Sequence, residues 1–268
     1  MRRIVLGLSV LALAALAPAA ADAAGMSLRW DKCYSDGGVV NRTFACDTNT
    51  GAERLVMSFV LDNPVADLSG VEIRMIIVPA SPTLPSWWQM KNVGTCRPTS
   101  LTMNLVLPPG SVNCVNWGNE AAMAGGIGAY TVSSQPGPNT AVVQMIGAVP
   151  ASDLATIEAG QEYFAGTLVI NHAKSVGVGA CAGCDVPTCI VVDRMRLTTP
   201  VFGNDVTLLD PAFGSDSNFA RWQNGQETNV QLVNCEGHNF GCYHSFSCEL
   251  SSTPTRNATW GAVKSLYR

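Results

Sequence analysis

The sequence predicts an all-β protein, an antiparallel sandwich of two sheets with disulfide-braced loops and a short C-terminal helix. Several stretches alternate apolar and polar residues with period two, Pro and Gly clusters separate them at short intervals, and helical periodicity is scarce. A sheet that is apolar on one face must bury that face, and with few helices at hand the covering layer is a second sheet.

Residues 1–23 read as an export signal. Arg2 and Arg3 precede an uncharged apolar run over residues 4–16, and Ala21, Asp22 and Ala23 supply a small-residue cleavage site. Residues 4–21 also approach the length of a membrane anchor, about 17 to 25 residues, but the alanine-rich second half and Pro18 favour the signal. No later segment reaches that length, so the mature chain is expected to be soluble and secreted, extracellular or periplasmic. A net charge of −4 with no run of Lys and Arg excludes nucleic acid and anionic membrane as partners, since both demand clustered cations.

Residues 24–200 carry most of the strand pattern. The first clear strand covers 54–61. In 71–75, Val71, Ile73 and Met75 share one face while Glu72 and Arg74 share the other; in 101–107, Leu101, Met103, Leu105 and Leu107 align likewise. Further strands are expected over 129–133, 141–146, 163–170, 189–198, 205–209 and 229–233. Asn63-Pro64, Pro108-Pro109-Gly110, Pro136-Gly137-Pro138 and Asp210-Pro211 break the pattern, because proline cannot donate to a sheet ladder. A short helix is expected over 152–158 before Gly160, and another at the terminus, where Thr259 would cap a face of Trp260, Val263 and Tyr267. Residues 201–250 read as a Cys-braced extension of the sandwich, and 251–268 as a tail.

All ten cysteines lie beyond the signal, and an even count in an exported chain implies disulfides. Spacing favours local bridges, Cys33 with Cys46 and Cys96 with Cys114. The other six form two clusters, Cys181, Cys184 and Cys189, then Cys235, Cys242 and Cys248; three being odd, at least one bridge joins them. The competing reading is zinc held by Cys181, Cys184, Cys235 and His238, but an exported chain oxidises its thiols. A redox-active Cys181–Cys184 pair would need a following helix, which Asp185 and Pro187 deny.

No nucleophile elbow, zinc helix or phosphate-binding loop is present, and the chain has only three histidines, His172, His238 and His244. The glycines around 177–182 mimic a dinucleotide fingerprint by letter but open no helix. Asp47 and Asn49 resemble the start of a calcium loop that lacks its closing acid, Ser58 standing there, and a polar turn is the competing reading; Asp205, Asp210 and Asp216 are a second soft calcium candidate. No other cofactor is implied. Trp87 and Trp88, after Pro82 and Pro85, are the first candidates for an exposed stacking platform, followed by Trp117 and Trp222 in polar, turn-rich surroundings. The same rings would otherwise seal the ends of the sandwich.

Residues 59–63 (Phe-Val-Leu-Asp-Asn), 68–73 (Leu-Ser-Gly-Val-Glu-Ile) and 157–160 (Ile-Glu-Ala-Gly) leading into 163–170 carry a strand rhythm that resembles cohesin-type and carbohydrate-binding-module jelly rolls, over roughly residues 55–200. The cysteines and the C-terminal region depart from cohesins. The tail from Trp260 to Arg268, Trp-Gly-x-x-Lys-Ser-Leu-Tyr-Arg, resembles that of a group of secreted bacterial proteins with no activity to carry over. Together these readings lead to a secreted non-enzymatic binding or surface-structural module whose partner is a polysaccharide or another cell-envelope component. The alternative is a glycosidase-type hydrolase whose two carboxylates meet only in space.

Overall fold

The computed structural model describes residues 24–132, 137–209, 211–213 and 217–225, together with 230–231 and 245–246. The expected export signal, the tail and its helix, Asp210, Asp216, His238, His244, Cys235, Cys242 and Cys248 lie outside the described residues. The strands in chain order are β1 (Gly25–Trp30), β2 (Asn41–Arg42), β3 (Ala52–Val60), β4 (Val65–Leu68), β5 (Gly70–Pro79), β6 (Leu101–Asn104), β7 (Cys114–Asn116) and β8 (Ala124–Val132). They continue with β9 (Ala141–Ala148), β10 (Ala155–Ile157), β11 (Glu162–Asn171), β12 (Thr188–Thr198), β13 (Val206–Leu208), β14 (Phe219–Trp222), β15 (Val230–Gln231) and β16 (Ser245–Phe246).

Two larger sheets enclose the main core. The smaller has the order β1-β3-β11-β6, with β7 parallel to β11; the larger has the order β2-β14-β12-β5-β9-β8, with β13 against β12. Most pairs are antiparallel, and β7–β11 and β14–β2 are parallel. The period-two pattern explains which side chains meet inside. Leu28, Leu55, Met57 and Leu168 come from the smaller sheet, and Val71, Ile73, Met75, Val143, Ile190 and Leu197 from the larger. Burying a side chain of this size stabilises by about 1.5–3 kcal/mol, so a common core of this extent binds the two sheets together.

The residues expected to form a Cys-braced extension supply β13 and β14, which both pair with β12 in the larger sheet. The helix expected over 152–158 is absent. A single 3-10 turn at Ala151–Asp153 gives way to β10, whose Ala155 and Ile157 pair with Leu68 and Val65 of β4. So short a helix is marginal by itself, and burial of Ile157 in the core decides for the strand.

The local disulfides are also overturned. The bridges are Cys33–Cys114, Cys46–Cys184 and Cys96–Cys181. The chain after β1 turns over the outer face of the smaller sheet, where Cys33 joins Val56, Cys114 and Phe164 in a separate apolar cluster. Spacing could not reveal that fold-over. Cys46 and Cys96 instead meet the loop before β12, which clips three loops together at one end of the molecule. Among the described residues no helix is long and apolar enough to cross a membrane.

Candidate functional site

Three of the four aromatic candidates, Trp87, Trp88 and Trp222, lie beneath those clipped loops, while Trp117 follows β7, which pairs with the start of β11. Trp87, Trp88 and Trp222 are fully buried, and Trp117 is 2% exposed. Pro85 leads into a 3-10 turn over Ser86–Trp88, which points both rings inward. Trp222 is the hub, with ring centroids 5.2 Å from Trp87, 5.9 Å from Trp88 and 6.0 Å from both Trp30 and Phe44. Indole N–H groups donate from Trp87 to Ser175 Oγ at 3.1 Å and from Trp222 to the Cys184 carbonyl at 2.7 Å. The expected stacking platform is therefore corrected: the cross-linked loops close over Trp87, Trp88 and Trp222, and Trp117 is buried in the main core after β7.

Arg97 locks this end. Its guanidinium lies 3.6 Å from the Trp87 ring centre and donates to the carbonyls of Ala173, Trp87 and Asn171. Burial pulls its pKa down to about 9, which leaves it charged at neutral pH. Tyr130 donates to the Trp88 carbonyl, and burial pushes its phenol well above the ordinary value. These groups hold loops in place and offer nothing to substrate.

The other candidates are likewise committed to structure. Buried His172 stacks on Phe44 at 3.7 Å, with Nδ1 2.7 Å from the Thr50 carbonyl and Nε2 3.1 Å from Glu53. Asn49 uses both ends of its amide on the Val176 backbone, donating to its carbonyl and accepting from its N–H, each at 3.0 Å. Thr48 closes the turn onto the Thr50 N–H, the arrangement of a polar loop, and Asp47 stands exposed beside it. Asp205 accepts from the Thr199 N–H and from Arg196, which together hold its carboxyl below the usual range. Cys181 and Cys184 each spend their sulfur on a separate bridge, which removes both the zinc set and the redox pair. Among the described residues the one cluster spaced for a metal ion is Cys33, Asp36 and Cys114, whose two sulfurs are already joined.

An open groove of about 280 Å³ lies on the outer face of the larger sheet, lined by Glu72, Arg74, Gln144, Ile146, Arg194 and Gly128. Register assembles it. Arg74 faces Arg194 on β12 and Gln144 on β9, and Glu72 faces Arg196 and Ile146. A bulge between Val192 and Arg194 turns Asp193 onto Arg74, at 3.0 Å. Arg196 pairs with Glu72 at 3.5 Å and Asp205 at 2.5 Å, while Arg194 holds no ion pair among the described residues. Ile146 is 44% exposed. At the rim, on edge strand β8, Gly126 has open space where a side chain would stand, and Gly128 meets only the Gln144 carbonyl, at 3.8 Å. Guanidinium and amide donors, a carboxylate acceptor and one apolar side chain thus share a shallow pocket near the lower size limit of small-molecule sites, about 300 Å³. The outward polar positions of β5 and β12 were visible in the sequence, but nothing there showed that they stand side by side. No protein-family model matches the chain, and no curated protein does.

Proposed function

We propose that this chain is an exported, non-enzymatic binding module of the jelly-roll or cohesin-like kind, with a short C-terminal helix, and that the groove between β5, β9 and β12 takes a saccharide unit of a polysaccharide or cell-envelope component. The observation that carries this reading is the grouping of Arg194, Arg74, Gln144 and Glu72 around exposed Ile146. Adjacent ring hydroxyls need donors and acceptors at fixed spacing, which planar guanidinium and amide groups on neighbouring strands supply. A rigid sheet also lowers the ordering cost of binding.

The test is isothermal titration and affinity electrophoresis against a panel of soluble polysaccharides, neutral and uronic-acid-containing, and pull-down with a cell-envelope fraction. Arg194→Ala and Gln144→Ala are expected to weaken binding roughly tenfold each, about 1.4 kcal/mol, with the melting temperature unchanged. Absence of binding to every probe, or variants that bind as tightly as the parent, would defeat the proposal. Release of reducing ends from any probe would favour the hydrolase instead.

A further inference from the structure

The outer face of the larger sheet divides into two halves of opposite character. Toward the clipped loops, Ile76, Val78, Val142, Cys189, Val191 and Phe219 form an apolar cluster apart from the main core, with Val142 the most exposed at 7%. Toward the other end, Gln144 and Ile146, on the same strand as Val142, are open to solvent. An outer sheet face buried to this degree requires a covering layer. Among the described residues, Val40 is the single partly buried apolar side chain packed against the cluster.

Cys189 stands inside that cluster, and its sulfur is in a disulfide. The other six described cysteines pair with one another, and among the described residues no cysteine is free. Within this chain the sulfurs left over belong to Cys235, Cys242 and Cys248. The route is short, since β14 runs beside β12, with Cys189 opposite Arg221, and the chain leaves the sheet within a few residues of the cluster.

We propose that the chain beyond Gly225 is the cover of this half-face, fastened by a disulfide from Cys189 to one of Cys235, Cys242 and Cys248. Closing the bridge joins two sulfurs and removes two protons and two electrons, which pass by thiol–disulfide exchange to a disulfide oxidant that leaves as two thiols. The fastening holds or fails independently of what the groove binds.

The test uses the purified full mature chain, alkylated under denaturing conditions without reductant, digested and mapped by mass spectrometry. The expected product is a cross-linked pair in which the Cys189 peptide carries one of the three C-terminal cysteines. An alkylated Cys189, a bridge to a second copy of the chain, or a bridge to any of the other six cysteines would overturn the proposal. Hydroxyl-radical labelling of the native protein provides the second measurement. Phe219 is expected to label at roughly a tenth of the rate of the fully exposed Phe202, in a protein that light scattering shows to be monomeric. Equal labelling of the two rings, or protection of Phe219 only in a dimer, would show that the chain's own segment is not the cover.

Discussion

Asp36 shows how a single carboxylate organises a loop. It accepts the backbone N–H groups of Val112 at 3.0 Å, Asn113 at 2.8 Å and Cys114 at 3.2 Å, and so docks the turn after β1 beside the Cys33–Cys114 bridge. Partial desolvation works to raise its pKa, but the three donors outweigh it and hold the carboxyl below its ordinary 3.8. Because the folded value is the lower one, its contribution is complete above the unfolded pKa and is lost as pH falls through the folded value. Asp36→Asn should therefore cost about 1–2 kcal/mol at neutral pH, and the gap from the parent should close below about pH 4, as read from urea midpoints across pH. The tryptophans make the opposite point, since position in a proline-rich turn said nothing about the direction of their rings. Trp88→Ala should cost about 3–5 kcal/mol in chemical denaturation, the magnitude for a buried ring and far above that for an exposed one. A cost below about 1 kcal/mol would reopen the platform reading.

Among the elements, β8 depends on glycine in a position-specific way. A Cβ on Gly125 would stand 2.1 Å from the Ile146 carbonyl, whereas one on Gly126 would meet nothing within 4 Å. Gly125→Ala should force β8 from β9 and lower the melting temperature by several degrees, about 1–3 kcal/mol, while Gly126→Ala stays neutral or slightly stabilises. Thermal denaturation of the two variants, read side by side, checks this. Strands such as β5 and β12 were legible because alternating runs over 71–75 and 194–198 bury one side chain in two. β2 has only two residues and leaves no alternating trace, whereas in β1 Met26, Leu28 and Trp30 do alternate with Ser27 and Arg29, in a short run directly after the segment read as an export signal. β10 was hidden for a different reason: its pairing with β4 joins segments far apart in the chain, and the local pattern favoured a helix.

For the molecule as a whole, the disulfides tie distant chain segments across one end. Cys96 and Cys181 are 85 residues apart, and Cys46 and Cys184 are 138 apart. On the loop-closure model a bridge over such a distance restricts the unfolded chain by about 4–5 kcal/mol, more than the short loops expected from spacing would. The double variant Cys96→Ser with Cys181→Ser should lose most of that, with a lower guanidinium midpoint and faster proteolysis in the loops on either side of Trp87. An unchanged midpoint would mean that Arg97 and the ring cluster hold those loops unaided.

The sequence by itself determined the class of this protein: many strands, few helices and paired thiols. Each of these follows from local chemistry, the side-chain period of a strand, the missing N–H of proline and the parity of the cysteine count. Which cysteines meet, which rings turn inward and which polar side chains share a groove were decided only by the tertiary structure. Those are relations between residues far apart in the chain, and they arise from sheet order and strand register. Arg74 and Arg194 are 120 positions apart in sequence, yet they stand opposite each other because β5 pairs with β12 across a single bulge.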